Sequence, residues 1–268
     1  MKKIIITLLF LLSTTSHAML VEQEIDYKEG NTTLKGFIVY DDEQKGKRPG
    51  VLVVHEWWGH NAYVRERARM LAKLGYVAFA LDMYGDGKVA THPDDAKKFY
   101  NEIMQNMPLA KARFLASLEA LKSADITNTD KIAAIGYCFG GAIVLQMARE
   151  GIDLDGVVSF HGSLGSPSPA QPDTVKAKVL VAHGGADPFI PATDITAFID
   201  EMNKASVDYQ FEIYGGATHA FTNPNATKVG EKFGLPLEYN QQADDASWAE
   251  MQRFFNKIFA SKNPTTIF

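Results

Sequence analysis

Short apolar segments alternate with amphipathic segments along most of this chain, and this alternation constrains the fold more than any other feature. Uninterrupted apolar runs such as Val51–His55 are typical of strands that are buried on both faces of a parallel sheet. The predicted strands are Glu22–Tyr27, Leu34–Tyr40, Val51–His55, Tyr76–Asp82, Lys131–Tyr137, Gly156–His161, Lys178–His183 and Tyr209–Tyr214.

Amphipathic helices are predicted between these strands. They are Tyr63–Leu74, Pro93–Met107, Leu109–Leu121, Gly140–Arg149, Ala192–Lys204 and Gln241–Phe259, with a break between the second and third at Pro108. Regular alternation of strand and helix predicts an α/β fold, with a mostly parallel twisted sheet of about eight strands and helices on both faces. Functional sites of such folds lie at the carboxyl ends of the strands.

The first residues are typical of a secretory signal peptide. A basic Met1-Lys2-Lys3 precedes an apolar run over Ile4–Leu12, and Ser16-His17-Ala18 follows. A membrane anchor is the alternative, but the run is about half of the roughly 20 apolar residues that a span requires. We therefore expect residues 1–18 to be removed. The rest, 19–268, is expected to form one exported domain, periplasmic or secreted, without a membrane span.

Cys138 is the only cysteine. In an exported chain such a residue is inert and buried, paired between chains, or reactive. It lies between Gly136 and Gly140, directly after a predicted strand and before a predicted helix, as in the nucleophile elbow G-x-S-x-G. A helix N-terminus also favours the thiolate, which is the reactive form. The setting predicts a nucleophile, and a buried structural cysteine is the alternative.

Two further strand exits supply partners for this cysteine. Asp187 follows the strand that ends at His183, and His219 lies in the loop after the last strand. Taken singly, Asp187 before Pro188 suits a turn and His219 suits a surface loop. The order nucleophile, acid, base is that of α/β-hydrolases, and we predict a catalytic triad of these three residues.

Two other histidines end strands and are rival bases. His161 and His183 each precede a glycine, which suits buried histidines that bond to neighbouring loops. Neither follows the last strand, where the base of such a triad belongs. We therefore expect structural roles for both.

The exit of the third predicted strand, His55-Glu56-Trp57, should face the elbow. We predict an oxyanion hole made by the backbone N–H groups of Trp57 and Phe139. Glu56 would lie close to the thiol, and a salt bridge to Arg65, Arg67 or Arg69 is the alternative. A zinc site is rejected because H-E-x-x-H would need histidine where Gly59 stands.

Five segments together resemble the dienelactone hydrolase family of α/β-hydrolases over essentially all of residues 19–268. They are His55–Gly59, Asp82–Gly85, Gly136–Gly141, His183–Pro188 and His219–Phe221. The resemblance implies that Glu56 interacts with Cys138 at rest. It also implies that Glu56 accepts the thiol proton when substrate binds, forming a thiolate that His219 supports.

The chain departs from that family where the substrate carboxylate is held. The positions that would carry arginine or serine are Gly85, Ala220 and Asn223, which offer no charge-assisted donor. A distant basic group such as Arg113 is the proposed substitute. The predicted pocket residues are Trp58, Tyr84, Gly85, Phe221 and Asn223, with plain packing as the alternative for the aromatic ones.

The leading hypothesis is hydrolysis of a small ester or lactone by a Cys138–His219–Asp187 mechanism through a thioester. A peroxide-reactive or redox-sensing thiol and a non-catalytic ligand-binding fold are the alternatives. We expect no cofactor and no metal. The net charge of -5 gives no basic footprint for nucleic acid. The expected partner is a small-molecule substrate, and the chain is expected to be a monomer or weak oligomer.

Overall fold

A computed structural model of the chain describes residues 19–260. The predicted signal peptide, residues 1–18, lies outside this range, as do residues 261–268 of the predicted domain. Within residues 19–260, none of the helices combines the length and the apolar character that crossing a membrane would require.

The described residues form one eight-stranded sheet, as predicted. Its strands are β1 (Leu20–Glu29), β2 (Thr32–Asp41), β3 (Arg48–Val54), β4 (Val77–Leu81), β5 (Thr127–Tyr137), β6 (Gly156–Phe160), β7 (Lys178–Gly184) and β8 (Tyr209–Tyr214). They lie in the order β1-β2-β4-β3-β5-β6-β7-β8. The β1–β2 hairpin is antiparallel and β2 pairs antiparallel with β4, whereas all later pairs are parallel.

Strands β3 and β5 begin earlier than their apolar residues indicate. Arg48 pairs with Thr127 in register, although the predicted strands start at Val51 and Lys131. Backbone pairing does not need apolar side chains, so the ladder extends beyond the apolar run that marks the buried centre of each strand.

Seven helices are described: α1 (Ala62–Lys73), α2 (Pro93–Met104), α3 (Met107–Lys122), α4 (Phe139–Arg149), α5 (Ala192–Lys204), α6 (Ala226–Phe233) and α7 (Gln241–Ala260). The predicted break at Pro108 was misplaced. Asn106 caps α3 by accepting from the N–H of Leu109, and Pro108 lies inside the first turn, where its missing N–H costs nothing. The short helix α6 was not predicted.

Alternate residues of each central strand face opposite layers. In β3, Val51 and Val53 belong to the core on the side of α1 and α7, whereas Leu52 and Val54 belong to the core on the side of α3, α4 and α5. The sheet is therefore buried on both faces. Because β3 and β5–β8 are parallel, their carboxyl ends meet at one edge, and the segments that follow them are brought together there.

Candidate active site

Cys138 occupies the turn between β5 and α4 in a backbone conformation that is rare for a residue with a side chain. Its φ is 54° and its ψ is -113°. The turn closes only because its flanking glycines have no Cβ. A Cβ on Gly136 would lie 2.0 Å from the carbonyl oxygen of Gly140, and one on Gly140 would lie 2.3 Å from that of Val54. This is the strained strand–helix turn that the sequence predicts for the nucleophile.

The structure brings His219 and Asp187 together with Cys138. His219 Nδ1 lies 2.7 Å from Asp187 Oδ2, and both side chains are nearly fully buried. The other Asp187 oxygen, Oδ1, accepts from the N–H of Phe189 at 2.9 Å. The imidazole and the Cys138 side chain line the same cavity, and Cys138 acts on the pKa of the imidazole. Nucleophile, base and acid candidates thus lie together at the carboxyl edge of the sheet.

The surroundings of His219 favour its charged form. Burial lowers the pKa of His219, but its interactions with Cys138 and Asp187 outweigh burial and raise the pKa above its ordinary value. The folded chain therefore favours the imidazolium form of His219. That imidazolium is a proton donor beside the candidate nucleophile.

Glu56 is buried at the end of β3, and its carboxylate bonds to an amide. Its Oε2 accepts from Nδ2 of Asn223 at 2.7 Å. Burial raises the pKa of Glu56 to about 7, although Asn223, His219 and Arg67 each lower it. The hydrogen bond of the carboxylate is therefore to Asn223, which differs from the resting Glu56–Cys138 contact that the family resemblance implies.

The alternative of a salt bridge to Glu56 is wrong, because all three candidate arginines pair elsewhere. Arg65 bonds to Glu24, Arg67 to Asp244 and Arg69 to Glu22, each at 2.6–2.7 Å. Within residues 19–260, no ion pair to the Glu56 carboxylate remains.

A cavity of about 420 Å³ opens in front of Cys138 and His219. Its lining is mostly apolar, and Trp57 and Phe139, the predicted oxyanion donors, both contribute. The remaining lining residues are Lys97, Tyr100, Asn101, Ser163, Phe189, Leu235 and Leu237. The N–H of Phe139 is the first of α4 and has no acceptor four residues back in the helix, so it is available to an oxyanion.

None of the five predicted pocket residues lines this cavity. Trp58 stacks on Phe233, Tyr84 donates to the carbonyl of Trp57, Gly85 lies beside Thr32, Phe221 packs against His161, and Asn223 bonds to Glu56. Arg113 does not substitute for a missing carboxylate donor either. It is buried and donates to the carbonyl of Met83.

Two elements that sequence reasoning did not connect with the site complete the cavity. Helix α2 contributes Lys97, Tyr100 and Asn101, and the segment after α6 contributes Leu235 and Leu237. Neither directly follows a strand, so the strand-exit rule could not find them. The C-terminus of α6 does carry a signal, since Gly234 has the left-handed conformation (φ 64°) that ends many helices.

The rival histidines stand apart from the cavity. His183 is buried at the end of β7, and its Nδ1 has no hydrogen-bond partner within residues 19–260. His161 is fully buried behind Cys138 and bonds to the backbone N–H of that residue. Neither lines the space where a substrate would bind.

Comparison with known sequences gives one consistent result. Residues 34–259 match the profile of the dienelactone hydrolase family. "Protein usf" of Aquifex pyrophilus is 32% identical over 212 residues, which span 77% of this chain and 90% of that protein.

Solved structures agree. The chain is similar to a dienelactone hydrolase-like promiscuous phosphotriesterase, P91, from metagenomic libraries. That similarity has a TM-score of 0.82 and 34% identity over 90% of this chain and 99% of P91. The structure of m3DLH gives a TM-score of 0.83 and 35% identity, over 89% of this chain and 98% of m3DLH.

Proposed function

The chain belongs to the dienelactone hydrolase family and is a carboxylic ester hydrolase, and from this premise we propose that it cleaves small esters or lactones through a thioester on Cys138. The observation that carries this proposal is the row Cys138–His219–Asp187 at the floor of an open cavity. We place the activity outside the cytoplasm on the strength of the predicted signal peptide over residues 1–18 alone.

In the first half-reaction the Cys138 thiolate attacks the substrate carbonyl carbon. The N–H groups of Trp57 and Phe139 stabilise the oxyanion of the tetrahedral intermediate. The imidazolium of His219 then gives its proton to the departing alkoxide, which leaves as an alcohol, or stays attached as the ring-opened hydroxyl of a lactone. Asp187 holds the imidazole ring in place through Nδ1.

In the second half-reaction neutral His219 takes a proton from water, and the resulting hydroxide attacks the thioester. The tetrahedral intermediate expels the Cys138 thiolate, and the carboxylic acid product leaves with its own proton equilibrating with solvent. His219 retains the proton it gained, which restores the thiolate–imidazolium pair.

Where Cys138 still carries its thiol proton, Glu56 is proposed as an additional acceptor of that proton. Asn223 holds its carboxylate, so the carboxylate must turn away from that amide to reach the sulfur. Its pKa of about 7 lets it gain or lose a proton near neutral pH.

The apolar lining of the cavity favours substrates with an apolar acyl group. Tyr100, Phe189, Leu235 and Leu237 surround the space in front of the sulfur, and their burial of a hydrocarbon chain would lower the free energy of binding.

Turnover of p-nitrophenyl acetate tests the proposal. We expect wild-type activity that Cys138→Ala abolishes, and we expect mass spectrometry of the quenched enzyme to find one acetyl group on the peptide that contains Cys138. Activity that survives Cys138→Ala would overturn the nucleophile assignment. An acetyl group on another residue would do the same.

Phosphotriester hydrolysis is a second candidate, favoured by the similarity to P91. The Cys138 thiolate would attack phosphorus and displace p-nitrophenolate from paraoxon, after which water would cleave the phosphorus–sulfur bond. Repeated turnover that Cys138→Ala removes supports this activity. Release of a single equivalent of p-nitrophenolate without turnover would mean that the compound only inactivates the enzyme.

A further inference from the structure

His161 links the nucleophile to the loop that carries the base. It directly follows β6, is fully buried, and has a left-handed φ of 41°. Its Nδ1 lies 3.1 Å from the backbone nitrogen of Cys138, and its Nε2 lies 2.7 Å from the hydroxyl of Thr222. Thr222 stands three residues after His219. One imidazole therefore touches both chain segments whose separation determines whether the sulfur and the base meet.

The direction of these two bonds follows from the donors. The Cys138 N–H is shared between the carbonyl of Phe160, at 3.0 Å, and Nδ1 of His161, at 3.1 Å. A backbone N–H can only donate, so Nδ1 of His161 accepts from Cys138 and carries no hydrogen. The neutral ring then has its hydrogen on Nε2, which donates to the oxygen of Thr222. Protonation of the ring would place a second hydrogen between Nδ1 and the Cys138 N–H, and the link would be lost.

The charged groups around His161 keep it neutral. Its ring centroid lies 5.3 Å from that of His219, and the buried guanidinium of Arg67 is close by. Burial, with the positive charges of His219 and Arg67, lowers the pKa of His161 well below its ordinary value. The other rings against it, those of Tyr137 and Phe221, are uncharged or apolar. The accepting state of Nδ1 is thus the stable one at neutral pH.

The far end of this link is anchored in the helices behind the sheet. The hydroxyl of Thr222 lies 2.7 Å from that of Tyr63, which accepts from Nε of Arg67 at 3.2 Å. Arg67 also donates to the carbonyl of Thr222 and to Asp244 of α7. The loop after β8 is therefore held at Thr222 by α1 and α7, and His161 connects this anchored point to the elbow.

We propose that His161 is a positioning residue that sets the distance between the Cys138 sulfur and the His219 imidazole by holding the Cys138 N–H and Thr222 at once. This inference rests on the proposed function for its kinetic test. Its position after a strand predicts a structural role for His161, and the proposal specifies that role.

Variants that break one bond or both test the proposal. His161→Leu removes both bonds. His161→Asn keeps an acceptor oxygen near the Nδ1 position and suits a left-handed φ, but does not reach Thr222. Thr222→Val removes the second bond from the other side. His183→Leu is the matched control, because His183 is also a buried strand-end histidine and its Nδ1 has no partner within residues 19–260.

We expect kcat for p-nitrophenyl acetate to fall by about 100-fold in His161→Leu with KM little changed, since misplacing reacting groups by about 1 Å has an effect of this size. His161→Asn and Thr222→Val should each lower kcat less than His161→Leu does. The variant that combines His161→Asn with Thr222→Val should have a kcat no lower than that of either single variant, because both changes remove the same bond between residues 161 and 222. His183→Leu should keep kcat within a few-fold of wild type. A folded His161→Leu variant with wild-type kcat, or a His161→Asn variant as impaired as His161→Leu, would overturn the proposal.

A second readout does not depend on ester turnover. The rate of alkylation of Cys138 by iodoacetamide follows the thiolate, which the neighbouring imidazolium favours. In His161→Leu, the plot of alkylation rate against pH should shift to higher pH. The rates are measured under conditions where circular dichroism shows that the variant is folded. A purely structural role would lower the urea midpoint and leave the profile in place, which would also overturn the proposal. If wild type lacks esterase activity but the profile shifts, the proposed function fails and the positioning role stands.

Discussion

At the scale of single residues, Glu56 and Asn223 are the pair that sequence reasoning placed least well. Their side chains are 167 positions apart in the chain and meet at 2.7 Å. The family resemblance predicts that Asn223 lies in the substrate pocket, because it comes shortly after His219 in the sequence. In the structure its amide lies on the carboxylate of Glu56, so it acts on the charge of that group and does not line the cavity.

Asn223→Leu should move the pH dependence of the enzyme. The amide hydrogen bond lowers the pKa of Glu56, so its loss should raise that pKa above about 7. If catalysis needs ionised Glu56, the acidic limb of the kcat/KM profile should shift upward by about 1 pH unit, the equivalent of one lost hydrogen bond. Asn225→Leu is the control, because Asn225 is exposed and its side chain makes no capping bond. If the acidic limb of the kcat/KM profile lies at the same pH in Asn223→Leu and wild type, Glu56 has no part in the mechanism.

At the scale of secondary-structure elements, the site depends on how β5 turns into α4. The strand and the helix approach each other so closely at Gly136 and Gly140 that only backbone atoms fit between them. This closeness gives Cys138 its positive φ and directs its sulfur out of the sheet toward the cavity.

Gly136→Ala should disrupt this turn. The new Cβ would lie 2.0 Å from the carbonyl oxygen of Gly140, a backbone atom that cannot move without opening the helix. We expect a loss of about 3 kcal/mol or more in the free energy of unfolding, measured by urea denaturation. Gly165→Ala is the control, with no atom within 4 Å of its new Cβ, and should stay within about 1 kcal/mol of wild type. Equal stabilities for the two variants would contradict the steric argument.

Sequence reasoning succeeded for elements whose position follows from the chain itself. Every strand exit of a parallel sheet ends at the same edge, so the positions of Cys138, Asp187 and His219 could be predicted from the apolar runs before them. The cavity wall could not be predicted in this way. Helix α2 and the segment after α6 reach the site through tertiary packing, and their contributing residues, such as Tyr100 and Leu237, have no pattern that distinguishes them from core residues.

At the scale of the whole molecule, the buried carboxylate of Glu56 costs the fold stability. The pKa of Glu56 is about 7 in the folded chain and has its ordinary value of 4.5 when exposed. Between these two pH values the folded chain binds more protons than the unfolded chain, so the free energy of unfolding falls as pH rises. About one pH unit above the pKa of Glu56 the loss is complete, and it stays constant at higher pH.

Glu56→Gln should therefore make the protein more stable at high pH relative to wild type. From pH 5 to pH 8 the difference in unfolding free energy between variant and wild type should change by about 2 to 3 kcal/mol in favour of the variant. Urea denaturation of both proteins at the two pH values measures this difference. A difference that does not change with pH would mean that Glu56 does not have a raised pKa in the folded state.

Cys138 is half-buried in its cavity and carries the only thiol of the sequence, so the concentration of active sites can be titrated. A chromogenic disulfide reagent can react with one sulfur per chain and with nothing else in these 268 residues. The amount of chromophore released therefore equals the concentration of competent sites, and rates can be expressed per working molecule. The same property makes the catalyst vulnerable. Once that sulfur is oxidised to a sulfenic acid, the chain has no second thiol to trap it as a disulfide before further oxidation to the irreversible sulfinic acid.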